Sequence, residues 1–161
     1  MSTTNIGENL IIEACSLRHP QLVNLVSRLD AELADLYPLE SNHLDDIETL
    51  EAHGGCAFGA IIDHKIVGCG MFKIMHDDGT YAEIKRVYVE PESRGLGIAS
   101  RIVSTLELEL IQRGIALARL ETGSLDAGPI ALYEYAGYVR RSSYGAYRED
   151  PMSVFFEKNL S

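Results

Sequence analysis

Between Tyr81 and Thr122 the chain reads as strand, glycine-bearing loop, amphipathic helix and strand. A β-loop-α-β unit of that length closes only as a parallel strand pair whose helix crosses over one face, right-handed. Glu90-Pro91 ends the first strand, Tyr81–Val89. Arg94-Gly95-Leu96-Gly97-Ile98-Ala99 follows, and a helix runs from about Ile98 to Arg113 with an apolar stripe of Ile98, Ile102, Val103, Leu106 and Leu110. Gly114 caps it before the strand Leu117–Thr122.

The preceding segments cannot follow the same rule. Cys56–Ile62 and Ile66–Ile74 flank the short turn Asp63-His64-Lys65, and Asp77-Asp78-Gly79 turns the chain again into Tyr81. These spacings predict an antiparallel meander. Upstream, Asn9–Cys15 is a first strand. After His19-Pro20 the positions Leu22, Leu25, Val26, Leu29, Leu33 and Leu36 keep a helical period that Pro38 ends, and Glu40–Leu50 reads as a second, shorter helix. Downstream, a helix over Pro129–Ala136 stops at Gly137, and Tyr138–Arg141 and Ser153–Lys158 are closing strands. With no repeat or linker, residues 1–161 form one domain of the α/β (α+β) class: a mixed, mostly antiparallel sheet with helices on both faces.

Charge narrows the function. Fourteen Lys and Arg stand against 24 Asp and Glu, a net charge of −10, which disfavours a general nucleic-acid binder. No apolar run approaches the ~20 residues of a membrane span, and the first residues lack a signal-peptide pattern. A soluble cytoplasmic protein, monomer or homodimer, is expected. Cys15, Cys56 and Cys69 are widely spaced in apolar stretches and read as buried free thiols, and no metal-ligand pattern involves the five histidines.

The loop at Arg94–Ala99 carries the chemistry. Its glycines allow close backbone approach, and the first N–H groups of the following helix are unsatisfied donors at the positive end of a dipole. Lys85, Arg86, Arg94 and Arg101 cluster around it. A pyrophosphate suits such a turn. A plain strand-to-helix turn is the bland alternative. A P-loop is excluded because its lysine is missing. An NAD-type dinucleotide loop would have Glu121 as its ribose acid, but Ser100 stands where the third glycine belongs.

Arg94-Gly95-Leu96-Gly97-Ile98-Ala99 resembles the R/Q-x-x-G-x-G/A signature of the GNAT N-acetyltransferase family. Ala82–Pro91 is similar to that family's fourth strand, and Ile130-Ala131-Leu132-Tyr133 with Gly137-Tyr138 is similar to its later helix motif. Together these cover essentially the whole chain. The tail Tyr144–Phe155 also resembles a branch of small bacterial members. The resemblance implies an acyl-CoA N-acyltransferase fold and transfer of an acetyl group from acetyl-CoA to an amine, without a metal. The coenzyme-binding residues it implies are Val87, Tyr88, Val89, Arg94, Gly95, Leu96, Gly97, Ile98, Ala99, Ser100 and Asp126. Val87 and Val89 would pair with the pantetheine arm through their backbone, and the amides from Arg94 would hold the pyrophosphate. Asp126 departs from the family's usual Asn, and an ionised Asp cannot donate a hydrogen bond. Glu83 matches a general-base position, with an outward-facing salt-bridged glutamate as the alternative. Tyr133 matches the tyrosine that protonates the departing thiolate, with core packing as the alternative.

Leu29–His64 contains nine acids and no Lys or Arg. In the family this region borders the acceptor, so a cationic amine is one expected partner and a merely solvated face is the other. Tyr37, Ser41, Asn42, His43 and Tyr147 are candidate pocket residues. A non-catalytic acetyl-CoA sensor is the competing class of function, distinguishable by whether free thiol is released with an amine.

Overall fold

A computed structural model describes residues 9–38, 41 and 44–161. Among them, seven strands form one sheet: β1 (Ile11–Cys15), β2 (Cys56–Ile62), β3 (Lys65–Met75), β4 (Tyr81–Val89), β5 (Leu117–Gly123), β6 (Val139–Arg141) and β7 (Ser153–Asn159), in the order β1-β2-β3-β4-β5-β7-β6. Four α-helices accompany it: α1 (Pro20–Leu36), α2 (Ile47–Ala52), α3 (Ile98–Gln112) and α4 (Ala127–Tyr135). The expected meander is present, β1 to β4 pairing antiparallel in succession. β4 and β5 are the parallel pair, and β5–β7 and β7–β6 are antiparallel. The class is the mixed, mostly antiparallel one.

Strand alternation sends successive side chains to opposite faces. Phe72, Ala82, Ile84, Ala118, Leu120 and Phe156 meet the buried stripe of α3 (Ile98, Ile102, Val103, Leu106, Leu110), and Tyr133 of α4 joins them. On the other face, Ala57, Cys69, Met71 and Tyr88 meet Leu22 and Leu25 of α1 and Leu50 of α2.

The helix expected over Glu40–Leu50 is corrected. α2 begins at Ile47, because the Asp46 carboxylate caps it by accepting from Thr49 N at 2.8 Å. Leu44 and Asp45 are not helical, and Glu40 lies outside the described residues. The first strand begins at Ile11 instead of Asn9. Cys69 is fully buried and its thiol is pushed up to about 12 by that burial, while Cys15 and Cys56 are only half-buried. No described helix is long and apolar enough to cross a membrane.

The α3 stripe predicts a sharp contrast in stability. Leu106 is fully buried and Leu108 is 59% exposed. Leu106→Ala should cost about 2–5 kcal/mol, and Leu108→Ala should stay within about 0.5 kcal/mol, by urea denaturation.

Candidate active site

The parallel contact between β4 and β5 is short. Ala82 pairs with Ala118 and Glu83 with Arg119, and the ladder ends there. β4 carries a bulge just beyond. Opposite β3, the register jumps from Tyr88–Cys69 to Lys85–Met71, leaving one extra residue on β4, and Arg86 has a φ of 52°. From Ile84 onward, no described strand pairs with the β5-facing edge of β4.

At the far end of β4, a 3-10 turn at Pro91–Ser93 leads into the glycine loop. Gly95 (φ 82°) and Gly97 (φ 76°) take left-handed conformations that L side chains rarely adopt, and a Cβ at either would meet nothing within 4 Å. Backbone conformation therefore demands the glycines, and open space lies before them. Gly97 is the N-cap of α3 and supplies no side-chain hydrogen bond. The N–H groups of Ile98, Ala99 and Ser100 precede the first intrahelical bond, from Arg101 N to Gly97 O at 3.2 Å. The cation cluster expected around this loop is corrected. Arg86 Nε lies 3.3 Å from Asp30 Oδ1 on the α1 side, and Lys85 is paired internally. Arg94 braces the loop, donating from Nε to Val89 O at 2.8 Å with its guanidinium over the Tyr88 ring.

Toward the middle of the split lies a cavity of about 100 Å³, lined in part by Tyr37, Ser41, Glu83, Lys85, Glu121 and Tyr147. Glu83, Lys85 and Glu121 share one face because their neighbours Ile84 and Leu120 point to α3. Glu83 is 2% exposed, so it does not face outward. Its Oε2 accepts from the Tyr144 hydroxyl at 2.5 Å, and its Oε1 lies 3.4 Å from Lys73 Nζ and 3.6 Å from Lys85 Nζ. Lys73 and Glu83 are register partners on β3 and β4. Both ammonium groups also reach Asp45 Oδ2, at 2.8 and 3.0 Å. Burial opposes ionisation of Asp45, but hydrogen bonds and charge from Lys73 and Lys85 outweigh it and hold its carboxyl below the usual range. Asp45 is thus a structural counter-ion and Asp46 a helix cap, not free steering charges.

Glu121 sits past the point where the strands part, with Oε2 accepting from Ser153 Oγ at 3.0 Å. Burial, with Glu83 and Asp150 adding to it, pushes its carboxyl up to about 7 against the pull of Ser153 and Lys85. The Tyr37 hydroxyl accepts from Leu125 N at 3.0 Å, its ring lying where a side chain at Gly123 would be. Ser41 Oγ donates to Asp150 Oδ2 at 2.6 Å. Of the expected pocket residues, Tyr37, Ser41 and Tyr147 therefore converge with Glu83, while Asn42 and His43 lie outside the described residues. Tyr133 is buried edge-on against Tyr138, ring centroids 5.7 Å apart, and burial pushes its phenol well above the ordinary value. Asp126 caps α4, its Oδ1 accepting from Gly128 N at 3.0 Å.

Sequence reasoning missed Lys73 and Tyr144 as parts of this site and read Glu121 only as the ribose acid of a dinucleotide loop. One signal was present: Lys73 lies within an otherwise apolar strand, and a charge buried there requires a partner.

Known proteins resemble this chain over nearly its whole length. The model of the acetyltransferase (GNAT) family matches residues 23–138. An "IAA acetyltransferase" from Azospirillum brasilense is 40% identical over 94% of this chain and 99% of its own length. A Klebsiella pneumoniae structure, named for the acyl-CoA N-acyltransferases, is 29% identical with a TM-score of 0.79, over 94% of this chain and 98% of its own. An Elizabethkingia anophelis GNAT acetyltransferase with acetyl-CoA bound shares the fold at 17% identity, with a TM-score of 0.64 over 94% and 99% of the two chains.

The Asp45 contacts carry a pH signature. A depressed carboxyl contributes stability that is present above its unfolded value, near 3.8, and is lost as pH falls through the lower folded value. Asp45→Asn leaves two buried ammonium groups short of a partner and should cost about 3 kcal/mol at pH 7. The deficit relative to wild type should shrink below pH 3.8, read by denaturant titration across pH.

Proposed function

The chain belongs to the acetyltransferase (GNAT) family, and from that membership we propose that it moves the acetyl group of acetyl-CoA to a primary amine by direct attack in a ternary complex. That it is an acetyltransferase follows from the family and from the 40% identical relative. The acceptor and the roles of the residues are read from this chain's own site.

One observation carries the reading. A single opening in the sheet has unsatisfied helix N–H groups at one end and a cavity with titratable carboxylates at the other. The amides from Arg94 through Ser100 hold the pyrophosphate at the uncapped start of α3. The edge of β4 facing away from β3, at Val87 and Val89, takes the amide-rich arm as though it were another strand. Val89 contributes less to that pairing, since its carbonyl already accepts from Arg94. The space before Gly95 and Gly97 fits a group lying directly on the backbone. Asp126 offers the coenzyme less than an amide would, because its Oδ1 already accepts from Gly128 N and an ionised carboxylate donates no hydrogen bond.

The acceptor enters the cavity between Tyr37, Glu83, Glu121 and Tyr147. The charged lining is Glu83 and Glu121 with Lys85 and Arg86, and both cations are already paired with carboxylates, which favours an amine arriving as an ammonium ion. Its proton must be removed before the nitrogen can attack, and the departing thiolate must receive one. Tyr133 supplies the latter, and a phenol raised above its ordinary value is fully protonated at neutral pH.

Calorimetry tests the coenzyme site directly. Wild type should bind acetyl-CoA in the micromolar range, about −8 kcal/mol. Gly97→Glu places a side chain at φ 76° and a carboxylate before the phosphates, and should weaken binding at least 30-fold. Undetectable binding to wild type would reduce the loop to a plain strand-to-helix turn.

A further inference from the structure

We propose that Glu121 is the group that takes the proton from the acceptor ammonium, and that Glu83 is a positioning residue that does not exchange protons with the substrate. The inference rests on reading the β4–β5 cavity as the acceptor site, and it assigns the base within that site.

The two carboxylates line one cavity but are held differently. Glu83 is committed through both oxygens, to the Tyr144 hydroxyl on one side and to the Lys73 and Lys85 ammonium groups on the other. Protonating it would forfeit two ionic contacts in a site where it is 2% exposed. Glu121 stands on the opposite wall, two residues before the end of β5, on the stretch that has already diverged from β4. It is half-buried, and its Oε2 accepts from Ser153 Oγ. The groups around it are Glu83 and Lys85 from β4, Ser153 from β7, and Asp150 and Tyr147 from the segment before β7. Tyr37 and Ser41 close the cavity from the α1 side, and Arg86 on that wall is paired with Asp30. Burial and like charge raise the Glu121 carboxyl to about 7. A carboxyl near neutrality can accept a proton from an ammonium and return it to water on each turnover. Two carboxylates held by different partners in one cavity divide the work between them.

The step balances. Glu121 accepts one proton from R–NH3+. The freed lone pair forms a C–N bond at the thioester carbon, and the C–S bond breaks with its electron pair on sulfur. Sulfur takes the Tyr133 proton, and the second proton leaving nitrogen restores the phenol. The products are the amide, free thiol and one proton, which Glu121 releases to solvent.

The test compares wild type, Glu121→Gln and Glu83→Gln, with Tyr144→Phe replacing the last if it fails to fold. The first readout is thermal melting without ligand from pH 4.5 to 9. A carboxyl raised from an ordinary 4.5 to about 7 imposes a penalty on the folded state that is absent below 4.5 and complete above 7. Glu121→Gln should therefore melt higher than wild type at pH 8, with the difference vanishing toward pH 4.5. The second readout is thiol release with acetyl-CoA and 1,4-diaminobutane. Glu121→Gln should lose at least 100-fold in kcat together with the rising limb near pH 7, at unchanged acetyl-CoA affinity by calorimetry, while Glu83→Gln keeps that limb. A limb that survives in Glu121→Gln or disappears in Glu83→Gln overturns the assignment. If the diamine is not acetylated, melting curves lacking the Glu121-dependent step overturn it. Failure of wild type to bind acetyl-CoA would instead sink the ternary-complex reading, which the melting curves do not touch.

Discussion

A sheet gains most when its strands pair along their whole length, yet β4 and β5 stay together for two residues and then part. The bulge at Arg86, with its φ of 52° and one residue too many against β3, turns the second half of β4 aside. A parallel pair is ordinarily buried on both faces and held by regular hydrogen bonds, so abandoning the ladder leaves donors and acceptors that something else must satisfy. The fold surrounds that gap: α3 starts at one end of it, and α1 and the segment before β7 cover the other. The pairing forgone at this place is where a ligand's backbone-like groups can enter.

The face under α1 and α2 shows the same economy of placement. Lys73, Glu83, Lys85, Arg119 and Glu121 occupy alternate positions on three adjacent strands, so strand alternation puts all of them on one surface. A buried ion network is rarely more stabilising than well-packed apolar residues of similar volume. Two lysines bridged by Asp45 and Glu83 do give a rigid frame, however, because each charge is held by more than one partner. The Tyr144 and Tyr147 rings pack edge to face against each other, 5.2 Å between centroids, and bring their hydroxyls to the same frame.

Much of this was legible in the chain. Turn chemistry at Asp63–Lys65 and Asp77–Gly79 set the meander, and the 3.6-residue stripe of α3 marked the crossover. The glycine pair marked the loop because only glycine accepts those φ values cheaply. The segment around α2 was misread, since Glu40–Leu50 carries a helix-like composition while its structure is decided by contacts distant in sequence, Asp45 to Lys73 and Lys85 and Ser41 to Asp150. The basic cluster misled for a related reason. Four cations near the loop in sequence do not surround it in space, because the bulge and the alternation send Lys85 and Arg86 to the opposite face. Glu121 was visible as an acid at a strand end, but its environment is made by Ser153 and Asp150, which no local pattern connects to it.

The two helices that leave the split clarify why an anion would settle at one and not the other. α3 and α4 each follow a strand flanking the gap, and each presents a positive dipole end. At α4 the Asp126 carboxylate already accepts from Gly128 N, placing a negative charge on that terminus. At α3 the cap is Gly97, with no side chain to compete for the free N–H groups and no Cβ to keep a ligand at a distance. A phosphate approaching α4 would meet like charge and an occupied donor, whereas one approaching α3 meets open donors. The difference between the two caps thus directs negative charge to the glycine loop and away from α4.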